Sequence, residues 1–285
     1  MIDMDAVTSF AVFAEKRNFT HAAKLLNISQ PALHVKIRKL AEFIGVALYT
    51  RKGSTLTITS AGLELTRFAR AAQADADALL ARIRGEQVTE TLIIAAGEGA
   101  LLYLLGDAIQ RFGRVRILNR NREGTIDAIR TGEAHAGVTT LDSIPTGLAV
   151  TELVNSRQVV VMPARHRLAR RKEIAPSDLE SESLIVPPSG RPHRDAISRL
   201  LLDAGVSWNI AAEAEGWPVM IELARRKLGL AIVNDICTLP AGVVARPLRG
   251  MPATRYYIVQ PKGARSEAAR TFVTLLRARS RGSAR

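Results

Sequence analysis

Residues 27–40 read NISQPALHVKIRKL, and this stretch constrains the fold more tightly than any other part of the chain. Leu33, Ile37 and Leu40 recur at helical spacing, yet Pro31 stands near the front of the same run. Ser29 is a favourable N-cap, and proline in a first helical turn lacks only an N–H that would have no partner there. Pro31 therefore starts a helix rather than breaking one. That helix has an apolar face to bury and carries His34, Lys36, Arg38 and Lys39 on its flanks.

The flanking segments give this helix a context. Asp5 to Arg17 reads as a short helix with Val7, Phe10, Ala11 and Ala14 on one face, and Thr20 can cap a second helix, THAAKLLN, whose Ala22, Ala23 and Leu26 allow close packing. Asn27 and Ile28 then make a tight connection to Ser29. Two short helices joined in this way, the second capped and basic, form a helix-turn-helix pattern, whose second helix enters the DNA major groove by its first turns. With Leu33, Ile37 and Leu40 turned inward, Gln30, His34 and Val35 face outward. Gln30 can bond adenine bidentately, His34 can donate to guanine or thymine, and Val35 can lie against a thymine methyl. Lys36, Arg38 and Lys39 suit phosphates, which fix register without reading sequence. A solvated basic helix would look similar, but the next segment argues against it. After Gly45, a C-cap, VALYTRKGSTLTITSAG alternates Leu56 and Ile58 with threonines around a Lys52-Gly53-Ser54 turn. Such a hairpin is a wing, from which Arg51 and Lys52 would reach backbone or minor groove.

From Ser60 the run GLELTRFARAAQADADALLARIR places Leu65, Phe68, Ala72, Ala76, Leu79 and Ile83 at spacings of 3, 4, 4, 3 and 4, with Arg67, Arg70, Asp77 and Arg82 away from that row. This is a helix–helix seam on a helix roughly 35 Å long. No element of its own domain is long enough to cover it, so the seam predicts a dimer; one long core helix is the alternative. Residues 85–90 end it as a polar linker.

The run AAKLLNISQPALHVKIRKL, followed by IGVALYTRK and TITSAG, resembles the winged-helix domain of the LysR-type transcriptional regulators. The positions that carry the resemblance are Ala22, Ala23, Leu26, Ser29, Gln30, Pro31, Ala32, Leu33, Ile37, Leu40, Gly45, Leu48, Arg51, Thr59, Ala61 and Gly62. It continues in RHRLARRKEIAPSDLESESLIV and ELARRKLGLAIVND, so it covers nearly the whole chain. His34 stands where the family usually has serine, Lys36 where it often has glutamine, Ala41 where it usually has glutamate, and Ser54 where many members carry a second wing arginine. His34 and Val35 are thus where an operator preference peculiar to this chain would reside, and Ser54 implies a weaker wing contact. The resemblance implies a homodimer or homotetramer on an inverted-repeat operator in double-stranded DNA, RNA polymerase as a further partner, and a small-molecule effector. It implies no cofactor and no enzymatic activity.

From Thr91 short apolar runs alternate with helical ones: LIIAAG, LLYLLGDAIQRFG, VRILN, TIDAIRTGE and AHAGVTT, then a second set from RQVVVMP to RYYIVQP and a final helix near Ser266 to Arg279. Such alternation implies a parallel sheet flanked by helices, with ligands at the carboxyl ends of the strands. The expected fold class is an α+β winged helix-turn-helix domain (1–60), a linker helix and hinge (61–90), and a two-lobed α/β periplasmic-binding-protein-like domain (91–285). Lobe I takes about 91–157 and 262–285, lobe II about 158–261, with crossings near Arg157 to Met162 and Arg255 to Pro261.

In the family the first cleft loop usually offers a serine or threonine to an effector carboxylate. Here it reads AAGEGALLYL: Gly97, Gly99 and Ala100 keep the backbone open, while Glu98 brings a negative charge into that place. Either Glu98 caps its own helix or it selects an effector with an amine, hydroxyl or ring N–H. Thr125 starts a helix, where it caps or touches the ligand. From the other lobe, Arg191 could pair with an anionic group, and Trp217 beside Pro218 could stack on a flat one.

Composition sets outer limits. The net charge of +13 favours polyanionic partners, but residues 1–90 hold 12 Lys+Arg against 9 Asp+Glu, leaving 28 against 18 for the rest. Charge alone therefore does not locate a nucleic-acid site. An N-terminus with acids where a secretory signal needs basic residues, and no apolar run of about 20 residues, predict a cytoplasmic protein with no membrane partner. One cysteine, Cys237, excludes an intramolecular disulfide and reads as a small buried residue. The chain has no nucleophile elbow, phosphate-binding loop or metal-ligand spacing.

Overall fold

The computed structural model describes residues 1–53, 55–84, 91–112, 114–263 and 266–282; the linker at 85–90 and Ser54, with its expected effect on the wing, lie outside the described residues. Helix α1 (Met4–Lys16) is opened by Asp3, whose carboxylate accepts from the amides of Asp5 and Ala6, and closed by Arg17 in the left-handed conformation. Helix α2 (Phe19–Leu25) is capped by Asn18, which accepts from the His21 amide. This corrects the assignment of Thr20 as the cap: the extended Asn18 starts the helix two residues earlier, and the Thr20 hydroxyl instead donates to Gln30 Oε1 at 2.8 Å. Helix α3 (Gln30–Ile44) begins as its sequence requires. Ser29 Oγ accepts from the Ala32 amide at 3.2 Å, and Gly45 closes it at φ +82°. Leu33, Ile37 and Leu40 are buried with Phe10 and Phe13 in one core.

Strands β1 (Tyr49–Lys52) and β2 (Thr55–Ile58) form the antiparallel wing, and helix α4 (Ser60–Ile83) follows. Gly62 lets α4 cross the wing, since a methyl there would lie 2.1 Å from the Leu48 carbonyl oxygen. The first half of α4 does find cover in its own domain: Thr66 and Ala69 are buried, and Arg70 pairs with Glu15 of α1 at 3.2 Å. Of the row expected to form a seam, Leu65 packs on this core instead, because the start of α4 lies across it, whereas Phe68, Leu79 and Ile83 are exposed at 49, 50 and 72%.

The remaining chain builds two sheets. Its elements are β3 (Leu92–Ala96), α5 (Glu98–Tyr103), α6 (Gly106–Phe112), β4 (Val115–Asn119), α7 (Arg122–Arg130), β5 (Ala136–Thr140), β6 (Leu148–Ser156), β7 (Gln158–Pro163), β8 (Ser183–Val186), α8 (Pro192–Asp203), β9 (Asn209–Glu213), α9 (Trp217–Arg225), β10 (Leu230–Asn234), β11 (Val243–Pro247), β12 (Thr254–Pro261) and α10 (Glu267–Gly282). Lobe I has strand order β4-β3-β5-β12-β6 and lobe II β11-β7-β10-β8-β9. The parallel expectation holds for β3, β4 and β5 and for β8, β9 and β10, whereas β6, β7, β11 and β12 pair antiparallel. Helix α10 returns to lobe I, where Phe272 and Leu276 are buried.

The second crossing needs correction. β12 lies between β5 and β6, so residues 254–261 belong to lobe I and the chain crosses before Thr254; the first crossing is at Arg157. Buried amides tie the two crossings together. Gln158 Nε2 donates to Asn234 Oδ1 at 2.5 Å and to Thr254 Oγ1 at 2.9 Å, and Asn234 Nδ2 donates to the Tyr256 hydroxyl at 3.0 Å. Helix α7 also reaches the winged-helix unit. Arg17 pairs with Asp127 at 2.8 Å, and Arg67 of α4 donates to the Arg130 carbonyl at 3.0 Å.

Candidate nucleic-acid interface and ligand cleft

The outer face of α3 presents Gln30, Pro31 and Val35 to solvent, with His34 half-buried beside them. The His34 ring stacks on Phe19 at 3.6 Å between centroids and 16° between planes, which fixes the direction of its edge. Thr20 holds Gln30 through its hydroxyl, so two side chains expected to read bases are oriented by α2. Lys36 departs from expectation. Its ammonium is held by Asp5 at 2.5 Å and reaches Ser9 at 3.4 Å, because residue 36 faces α1 rather than the outer surface. Arg38 remains outward, pairing with Glu42 one turn on at 3.6 Å. In the wing, Arg51 Nε donates to the Gly53 carbonyl at 3.0 Å, and Lys52 lies opposite Thr55 in the register. An apolar groove of about 580 Å³ between α3 and the start of α1, walled by Met1, Val35, Leu40 and Phe43, was not anticipated. The signal was Phe43, which falls off the buried stripe.

The second cavity, about 290 Å³, lies between the lobes. Gly97, Glu98, Gly99 and Ala100 line it, as expected of the loop after β3. Glu98 is the first residue of α5 and the acid of its first turn, and its carboxylate makes no hydrogen bond with a described residue. Its carboxylate lies against Gly216, where a methyl would be 2.8 Å from Oε2. Gly216 has φ +82°, a conformation that suits glycine, and it delivers Trp217 into the cleft. The indole packs against the apolar cores of both lobes and meets the His193 ring edge-on at 6.4 Å. His193 Nε2 lies 2.8 Å from the Ile232 carbonyl, so that nitrogen carries the proton, and burial pushes the imidazole below its ordinary pKa.

Other expected residues are elsewhere. Thr125 is fully buried one turn inside α7, its hydroxyl 3.4 Å from the Arg120 carbonyl, and Asn121 caps that helix by accepting from the Gly124 amide. It neither caps nor faces the cleft, because its methyl fills the space above Gly137. Arg191 is paired with Glu215 outside the cavity lining, and Pro218 supplies the first turn of α9 without reaching the cavity. The cleft gains Arg120, Arg122, Thr139, Thr140 and Tyr256 instead. Burial raises the pKa of Tyr256, and it holds the Cys237 thiol up at about 12, so Cys237 is an inert core residue.

A helix-turn-helix unit with a wing, followed by a two-lobed domain with a cleft between its lobes, is matched over most of the chain by two family models: residues 4–63 by the bacterial regulatory helix-turn-helix protein, lysR family, and residues 85–281 by the LysR substrate binding domain. The chain belongs to the LysR family. This LysR-family protein is a DNA-binding transcriptional regulator with an effector-binding domain. It is 29% identical over 262 residues to the uncharacterized HTH-type transcriptional regulator YbhD of Escherichia coli (strain K12), covering 89% of this chain and 78% of YbhD. It is 26% identical over 289 residues to the Hca operon transcriptional activator HcaR of the same organism, covering 95% of each. Its fold is similar to that of a full-length OxyR variant from Pseudomonas aeruginosa, with a TM-score of 0.65 at 19% identity over 97% of this chain and 98% of that one. It is also similar to full-length CbnR complexed with target DNA, with a TM-score of 0.58 at 20% identity over 98% and 99%. No helix among the described residues is long and apolar enough to cross a membrane.

Proposed function

We propose that this regulator acts in the cytoplasm as a homodimer or homotetramer that pairs through α4 and sets two α3 helices on the halves of an inverted repeat. Gln30, His34 and Val35 read bases, while Ser29, Pro31, Arg38, Arg51 and Lys52 fix the register along the backbone. A small molecule between Glu98, Gly99 and Trp217 biases the relative placement of the subunits and thereby their dealings with RNA polymerase. An effector shifts that equilibrium only by binding one arrangement more tightly than the other.

The observation that supports this reading best is the exposed apolar row on α4. Phe68, Leu79 and Ile83 repeat on one face that the protein's own core leaves uncovered, and burying such a face against a second copy gains about 25 cal/mol per Å² of apolar surface. The test is a gel shift of the full-length protein on an inverted repeat and on a single half-site across salt concentrations. Cooperative binding to the repeat, weakening steeply with salt, is the expected result. Equal affinity for repeat and half-site would remove the paired-helix arrangement.

A further inference from the structure

The charged groups facing the cleft differ in how far the protein has already satisfied them. Arg122 is committed to Asp142 at 2.6 Å, and Asn121 spends its oxygen capping α7. Two charges remain. The Glu98 carboxylate makes no hydrogen bond or ion pair with any described residue. The Arg120 guanidinium is 45% exposed, and its two contacts are both long, to Glu133 at 3.5 Å and to the Asn119 carbonyl at 3.4 Å. Among the described residues no ion pair joins Glu98 to Arg120, although both line the same cavity. The indole of Trp217 and the ring of Tyr256 complete the wall, and a cation beside an aromatic face and a carboxylate is held by both.

We propose that the effector is a small zwitterion whose ammonium sits against Glu98 and Trp217 and whose anionic group reaches Arg120. This rests on the reading of the cleft as the effector site. A ligand carrying only a carboxylate would bring a like charge toward Glu98, whereas a zwitterion supplies a partner to the unpaired Glu98 carboxylate and a closer one to the Arg120 guanidinium at once. The size agrees: about 290 Å³ falls just below the ~300–1,000 Å³ range of ligand pockets, enough for a molecule the size of an amino acid and too small for a large one.

The chain has two tryptophans, and Trp208 lies beneath Arg194 in lobe II, away from the cleft. Full-length protein carrying Trp208→Phe therefore reports on Trp217 alone. Four probes with one phenylethyl frame, namely phenylalanine, 2-phenylethylamine, 3-phenylpropionate and 2-phenylethanol, are titrated against Trp217 emission, with saturation-transfer NMR as a second readout. Phenylalanine binds tightest, the amine next, and the carboxylate at least tenfold more weakly than phenylalanine. Glu98→Gln weakens the amine at least tenfold and leaves the carboxylate unchanged or tighter, and Arg120→Gln removes the preference of phenylalanine over the amine. Tightest binding of 3-phenylpropionate, or equal binding of all four, overturns the zwitterion while leaving the cleft a ligand site. Silence of all four probes in both readouts overturns the zwitterion and counts against the cleft as well.

Discussion

Trp217 closes on Gly99 across the cleft so tightly that a methyl on Gly99 would come within 3.1 Å of the indole. Next to this contact, Gly216 of lobe II meets the Glu98 carboxylate of lobe I. Both loops approach only because each offers a residue without a side chain. Gly99→Val is expected to displace Trp217, shift its emission to the red and lower stability by about 1–3 kcal/mol, the usual cost of overpacking. Unchanged emission and melting would mean that the loops stand apart in solution.

His34 stacks on Phe19, so replacing either residue tests the proposed base-reading role of the imidazole. His34→Ala is expected to compress the ratio of affinities for cognate and random duplexes by about 1–3 kcal/mol. Phe19→Leu, which removes the stacking partner and keeps the imidazole, should do so by less. Equal losses on both duplexes for His34→Ala would remove its base-reading role. Arg51→Ala should weaken both duplexes alike and reduce the salt slope by about 1. Lys36→Ala, having Asp5 rather than phosphate as its partner, should change DNA affinity less than Arg51→Ala does.

The row on α4 predicts an assembly defect separable from folding. Ile83 is exposed in the single chain, so the circular dichroism of Ile83→Asp should match the wild type while light scattering reports dissociation toward monomers. A charge buried in a paired seam costs several kcal/mol, enough to split a dimer at micromolar concentration. An unchanged molar mass would place the subunit interface elsewhere.

His193 gives the C-terminal domain a pH dependence of defined sign. Burial lowers its folded pKa, so the unfolded chain binds the proton first as pH falls. The stabilisation is complete above the unfolded value of about 6.5 and is lost as pH drops toward the lower folded value. His193→Gln should flatten that part of the stability profile, and a slope identical to wild type between pH about 7 and 5 would assign the effect to other groups.

The helical elements were legible in the sequence because Ser29, Pro31 and Gly45 punctuate α3 and because Leu33, Ile37 and Leu40 keep period. Two strands were not. β6 and β11 stand at the outer edges of their sheets, with one neighbour each, so Thr151, Glu152, Asn155 and Arg246 interrupt the apolar runs that betray β3 and β10. β12 was visible as an apolar run, but such a run does not name its neighbours, and its partners β5 and β6 lie about a hundred residues earlier. The cleft followed the same logic. Arg120 and Thr140 stand at the carboxyl ends of parallel strands, where the rule for such sheets looks for ligands. Tyr256 comes from an antiparallel strand that enters the cleft by its opposite end, which that rule does not cover.

The two halves of the protein meet at helix α7. Its first residues line the cleft, and its later ones hold the winged-helix unit through Arg17–Asp127 and the Arg67 bond to Arg130. The ion pair is half exposed, and pairs of that kind contribute about 0–1 kcal/mol. With the Arg67 hydrogen bond worth about 0.5–1.5 kcal/mol net beside it, the reading head is moored to α7 by contacts that are each weak. A ligand with modest preference between orientations would suffice to tip it, and by reciprocity DNA that selects one orientation would alter affinity for that ligand by the same factor.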